Sequence, residues 1–170
     1  LEASLLWFLP WLQAEVHNQT LKAALNPGNF QKLKQPFFYY QHLLAPHPPF
    51  SLTATGEFRV SISYGLSDGS HFVQGSEPRR KEYKAGYVEK ARFVESELLK
   101  QLKALPDGPI IVILHGDHGP GAYFEQEEVE QSCARERMTT FLAIYSNVPE
   151  VREVLKPHAN APFNLANIYR

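Results

Sequence analysis

A chain of 170 residues with 44% hydrophobic and 21% charged side chains has the composition of one globular domain, and of no disordered, collagenous or coiled-coil protein. Such a length lets the chain bury roughly 70% of its unfolded surface. Seventeen basic against eighteen acidic side chains leave a formal charge of −1, which gives no electrostatic footprint for nucleic acid.

The chain starts at Leu1 rather than Met, as expected of a portion of a longer protein or a processed one. Residues 3–25 predict a helix kinked at Pro10. Its apolar start, Leu5 to Leu12, is shorter than the about 20 apolar residues of a membrane span. It has no basic n-region and no small-residue cleavage site, so it reads as a buried helix start rather than a signal peptide. Asn26-Pro27-Gly28-Asn29 ends the helix. Residues 36–44 are an aromatic and aliphatic run, which predicts a strand buried on both faces. Ala45-Pro46-His47-Pro48-Pro49 stops it. Residues 51–78 read as irregular, with at most a short edge strand where Phe58, Val60 and Ile62 alternate.

The clearest helix is 79–104. Tyr83, Tyr87, Ala91, Val94, Leu98 and Leu102 form one apolar stripe, and the other face is charged. Pro106-Asp107-Gly108-Pro109 ends it. Ile110 to Leu114 is β-branched and predicts the best strand. Residues 115–122 form a loop, and an acidic patch follows at Glu125, Glu127, Glu128 and Glu130. Thr139 to Tyr145 reads as a further strand and Pro162 to Arg170 as the start of a helix. Alternating helices and strands predict an α/β layer structure with parallel strands. In such sheets ligands bind beyond the carboxyl ends of the strands. With parallel strands, the loops 45–49 and 115–121 share one edge.

The sharpest chemical element is Gly116-Asp117-His118-Gly119. A carboxylate and an imidazole are usual ligands for a divalent metal, and the flanking glycines allow tight turns and close approach. The same four residues also read as a plain turn with an exposed histidine. Ile110 to Leu114 favours the metal reading, because it delivers the pair to a strand end. His47, held among three prolines, sits in a stiff loop suited to facing a charged group. His42 reads either as a second such group or as a core hydrogen-bonding residue. His115 reads as a partner orienting a ligand or as a strand end without a role. His17, His71 and His158 lack supporting context and read as surface residues. The single cysteine, Cys133, excludes a disulfide framework and a Cys-rich zinc module and leaves the compartment open. Neither a nucleophile elbow nor a Gly-rich phosphate loop is present.

Two segments, Phe37 to Phe50 and Ile110 to Gly121, together resemble the sulfatase-like branch of the alkaline phosphatase superfamily. The likeness is to lipoteichoic acid synthase, phosphoethanolamine transferases and bacterial membrane-anchored sulfatase-domain proteins. Tyr83 to Leu102 looks like the family helix between those strands. Glu136 to Tyr145 looks like the strand after the metal loop, and Ala161 to Arg170 like the start of a late helix. The resemblance implies a three-layer sandwich with a mainly parallel sheet flanked by helices, of which this chain is one partial, carboxyl-side domain. It implies that Asp117 and His118 are metal ligands and that His47 contacts a phosphate or sulfate group. It matches His42 to a further substrate histidine, with His115, Gly116 and Gly119 around the ligands. The metal implied is manganese or zinc, with calcium or magnesium as lesser choices.

Nothing in the chain matches the family's nucleophile or its remaining ligands, which lie upstream in the family. The expected whole is therefore a hydrolase or transferase acting on phosphate or sulfate esters, possessing its nucleophile outside these residues. Its substrates would be envelope lipids or glycans. Its place would be the periplasm or the outer face of the bacterial inner membrane, with membrane attachment through other segments. The alternative expectation is a non-catalytic module that binds an anionic glycan, a lipid head group or a protein.

Overall fold

The first helix forms as α1, Glu2–Ala24, with Pro10 inside it. Ala14, Asn18, Leu21 and Leu25 are buried and recur at three- and four-residue spacing, so one stripe of α1 and its end faces the core. In this computed structural model residues 2–61, 65 and 67–164 are described. The expectation on Ile62, residues 165–170 of the helix expected over Pro162 to Arg170, and the burial expected of the Leu5 to Leu9 side chains fall outside the described residues. After α1 the Asn26 side chain accepts from the Gly28 N–H at 2.8 Å and starts a 3-10 turn, Pro27–Lys32.

The described residues form two compact units. One comprises residues 1–106 and 120–133, the other 107–119 and 134–170. The first unit contains α1, a short helix α2 (Ser70–Val73) and the long α3 (Glu77–Lys103). Two apolar clusters hold it together. Leu21, Leu25 and Leu52 meet Phe93 and Val94 of α3. Phe50, Phe72, Val73, Tyr83 and Ala122 make the second. A tight turn at residues 53–57, with Gly56 at φ +82°, returns the chain so that Leu52 pairs with Phe58.

The second unit is a two-stranded sheet with short helices. Strand β1 (Ile111–His115) pairs with β2 (Leu142–Ser146), in the register Ile111 to Ser146 and His115 to Leu142. A short helix, α4 (Ala134–Met138), precedes β2, and α5 (Pro149–Leu155) follows it. The buried apolar side chains among the described residues all belong to the first unit. In the second, Ile111, Ile113, Ile144 and Tyr145 keep about 40–55% of their surface exposed, because two strands alone cannot cover both faces of a sheet.

At the apolar start of α1, which the sequence expects to be buried, Trp11 and Leu12 are exposed. The chain mixes helix and strand, as expected, but three further expectations are corrected. The β1–β2 pair is antiparallel, and no parallel sheet occurs among the described residues. Residues 36–44 are not a strand. Pro36 removes a backbone donor, and among the described residues no strand is hydrogen-bonded to the segment. Its alternate residues divide: Phe37, Gln41 and Leu43 are partly covered, whereas Phe38, Tyr40 and Leu44 are 92%, 67% and 52% exposed. One side lies on the helical core, where Gln41 donates to the Ala24 carbonyl and Tyr39 meets Phe30 edge-on. The third correction concerns α3. Its buried face is Tyr83, Gly86, Lys90, Phe93, Val94 and Gln101, so it includes a lysine that the sequence places among the solvated charges.

Gly86 fixes how closely α3 packs. A Cβ there would overlap the Cβ and Cγ atoms of Phe50, which is fully buried and edge-on to Phe72 and Tyr83. Alanine would add about 1 kcal/mol of helix propensity, but overpacking costs about 1–3 kcal/mol. Gly86→Ala is expected to lower stability by up to about 2 kcal/mol in urea unfolding. An unchanged or higher midpoint would mean that Phe50 moves aside freely.

Candidate functional site

Strand β1 ends at His115 and hands the chain to the loop Gly116–Gly119. Both ends of that loop are tied by backbone bonds within the second unit. The Gly116 N–H donates to the Phe141 carbonyl at 3.1 Å, and the Gly119 N–H donates to the Arg137 carbonyl at 2.8 Å. The glycines serve space rather than left-handed backbone. A Cβ at Gly119 would overlap the carbonyl oxygens of Glu136 and Thr139, and one at Gly116 the Thr140 hydroxyl.

Between these anchors Asp117 and His118 point outward. The Asp117 side chain is 73% exposed and that of His118 37%. Asp117 Oδ1 accepts from the His118 backbone N–H at 2.9 Å, which holds the carboxylate over its neighbour. His118 Nδ1 lies 2.9 Å from the Gly119 carbonyl. A carbonyl only accepts, so the ring proton is on Nδ1 and Nε2 carries the lone pair. Nε2 lies 3.6 Å from Asp117 Oδ2. Two donors each about 2.1 Å from one tetrahedral cation stand about 3.4 Å apart. The pair therefore fits two positions around one metal ion. Among the described residues no group of three or more His, Cys, Asp or Glu side chains is arranged to hold a metal.

Arg137 is a neighbour of the loop that its place in the sequence does not announce. Its Nη1 donates to the Gly119 carbonyl at 3.2 Å, and its Nη2 sits 3.2 Å from His118 Nε2. As a guanidinium has no lone pair to offer, it donates to that nitrogen. Arg137 thus occupies the position a metal would take on His118. The sequence places Arg137 next to the second strand but contains no signal that it returns to the loop. His115 is partly buried, with Nδ1 3.4 Å from the Gly116 carbonyl.

His47 belongs to the first unit, in the turn before the buried residues Pro48, Pro49 and Phe50. Its Nδ1 lies 3.0 Å from the Pro48 carbonyl, so here too the proton is on Nδ1. Nε2 then donates only in the imidazolium form. His42 lies on the exposed side of the 36–44 segment. Thus the structure groups Asp117, His118, His115, Gly116 and Gly119 in one unit and places His42 and His47 in the other.

His17, expected at the surface, is instead packed against a buried lysine. It is only partly exposed, and its Nε2 lies 3.0 Å from Lys90 Nζ. Desolvation, with the nearby Lys90 and His47 charges, lowers its pKa to about 4. Lys90 is fully buried, and that burial lowers its pKa to about 7. A signal for Lys90 is present in the sequence: it stands seven residues after Tyr83 and four before Val94, at the edge of the apolar stripe. His71 and His158 are exposed, as expected.

Comparisons with protein-family models, with curated proteins and with solved structures found no match to this chain. Among the described residues no helix is long and apolar enough to cross a membrane.

Proposed function

We propose that the chain is the carboxyl-side portion of a metal-dependent phosphate- or sulfate-ester hydrolase or transferase. The observation that carries this is the Asp117–His118 pair, whose Oδ2 and Nε2 atoms stand at the spacing of two ligands on one cation. The resemblance of the two loop segments to the sulfatase-like branch supplies the reaction class. In this reading Asp117 and His118 hold manganese or zinc, the softer metals that an imidazole ligand favours. A bound metal of this kind would lower the pKa of an attacking hydroxyl and balance charge on the transferring group.

The chain's own residues have distinct tasks. The Gly119 carbonyl accepts a hydrogen bond from His118 Nδ1–H and so keeps the Nε2 lone pair outward. Gly116 and Gly119 let the loop lie close to the 136–141 backbone. His47, when protonated, donates from Nε2 to a non-bridging oxygen of the ester group or gives its proton to the leaving group. His42 is a further contact for the substrate, and His115 orients the loop. The finer architecture belongs to the same proposal: a parallel-sheet, three-layer sandwich to which these residues contribute the carboxyl side. So do the envelope lipid or glycan substrate, the bacterial periplasmic setting and membrane attachment through other segments.

The Arg137 contact to His118 Nε2 favours a second reading, a non-catalytic module for an anionic glycan, lipid head group or protein. A guanidinium beside an imidazole binds anions without any metal.

Calorimetric titration with Mn²⁺ and with Zn²⁺ separates the two. The parent chain is expected to bind at least one of them, and Asp117→Ala to bind it at least about tenfold more weakly. Equal binding by parent and variant would remove the metal role of the loop. Binding of inorganic phosphate that is unaffected by either metal and lost in Arg137→Ala would favour the module.

A further inference from the structure

The His47 turn is held from beneath by a buried cation. Lys90 reaches from α3 to the backbone on both sides of Pro48. Its Nζ lies 2.6 Å from the His47 carbonyl and 3.2 Å from the Pro49 carbonyl. The third neighbour is His17 Nε2 of α1 at 3.0 Å. An ammonium has three N–H donors, and here three acceptors surround it. The intervening Pro48 carbonyl turns the other way and accepts from His47 Nδ1. Carbonyls 47 and 49 thus grip the lysine, and carbonyl 48 grips the imidazole.

We propose that Lys90 is a positioning residue for His47: by fixing the carbonyls of residues 47 and 49 it fixes the Pro48 carbonyl that orients the His47 ring, and thereby aims Nε2 at the anionic group. The inference rests on the reading of His47 as the anion-contacting residue. Lys90 itself touches no substrate.

The arrangement is chemically consistent in either protonation state of the lysine. Charged, it donates to both carbonyls and to the His17 lone pair. Neutral, it keeps two N–H donors for the carbonyls, and its lone pair meets His17 as the Nε2–H tautomer. A buried lysine without these acceptors would lose its hydration with nothing in return. Packing alone would be met by methionine at this position, whereas the two carbonyls require a donor.

The test uses the full chain, labelled with ¹³C and ¹⁵N, at pH 6. Relaxation of the His47 Cε1–H group reports ring order, and titration with inorganic phosphate follows the same signal. In the parent the ring is expected to be as ordered as the backbone and to respond to phosphate. In Lys90→Met the ring is expected to become mobile and its phosphate affinity to fall at least about tenfold, while the amides of β1 and β2 stay unshifted. Lys90→Met with parent-like ring order would overturn the proposal. An ordered ring that ignores phosphate in the parent would instead remove the anion role of His47 and leave the clamp standing. Should Lys90→Met fail to fold, His17→Leu removes one of the three acceptors. It is expected to speed proton exchange at Lys90 Nζ and loosen the His47 ring; parent-like behaviour of both would count against the clamp.

Discussion

Gly119→Ala is expected to destroy the Asp117–His118 loop, with a cost above about 3 kcal/mol to the second unit. Gly119 is not a glycine of left-handed backbone, so the loss is one of space. The added methyl would overlap the carbonyl oxygens of Glu136 and Thr139. Main-chain oxygens cannot turn aside as a side chain does; α4 itself must move. That movement breaks the Gly119 N–H bond to Arg137 and the Arg137 bonds to Gly119 and His118. Gly75→Ala is the control. It has positive φ but open space around it, so its expected cost is about 1 kcal/mol of backbone strain. Amide hydrogen exchange checks both. Exchange in β1 and β2 should accelerate strongly for Gly119→Ala and hardly for Gly75→Ala. Similar, small effects from the two would show that the loop has room to rearrange.

Stability is expected to rise with pH between about 7 and about 10.5, by about 3–5 kcal/mol from Lys90 alone. Burial holds the folded lysine at about 7, against 10.5 in the unfolded chain. In that window the unfolded state binds the extra proton, so each step up in pH favours the fold. Below about 7 the lysine is charged in both states and its burial cost is fully present. His17 acts in the same direction at lower pH. Its pKa, lowered to about 4, makes stability fall as pH drops from about 6.5 toward 4. Urea unfolding of the parent and Lys90→Met across pH 6.5 to 10.5 isolates the lysine, because every other titrating group is common to both. Two curves of the same slope would refute the depressed lysine. Lys90→Met should start nearer to the parent than a simple loss of hydrogen bonds suggests, since it also removes a buried charge.

Much of the local structure was legible in the residues. The helix at 79–104 rests on periodicity, and both it and the helix at 3–25 are bounded by their Pro-Asp-Gly and Asn-Pro-Gly ends; both form within two residues of the expected limits. Ile110 to Leu114 becomes β1, shifted by one residue. The loop after it, with Asp117 and His118 side by side, follows from glycine and proline chemistry that depends on few neighbours. The strand expected at 36–44 fails for a different reason. An apolar run states that a segment needs covering, whereas a strand exists only where another strand offers hydrogen bonds.

The helices, the position of β1 and the adjacency of a carboxylate and an imidazole at a strand end are written in the chain, because each is set by contacts within a few residues. The antiparallel partner of β1, the return of Arg137 to His118 and the burial of Lys90 beneath His47 arise only on folding. Those depend on which distant backbone carbonyls and side chains come together. A lysine at the edge of an apolar stripe reads as a solvated charge until the His47 and Pro49 carbonyls and the His17 ring are seen around it.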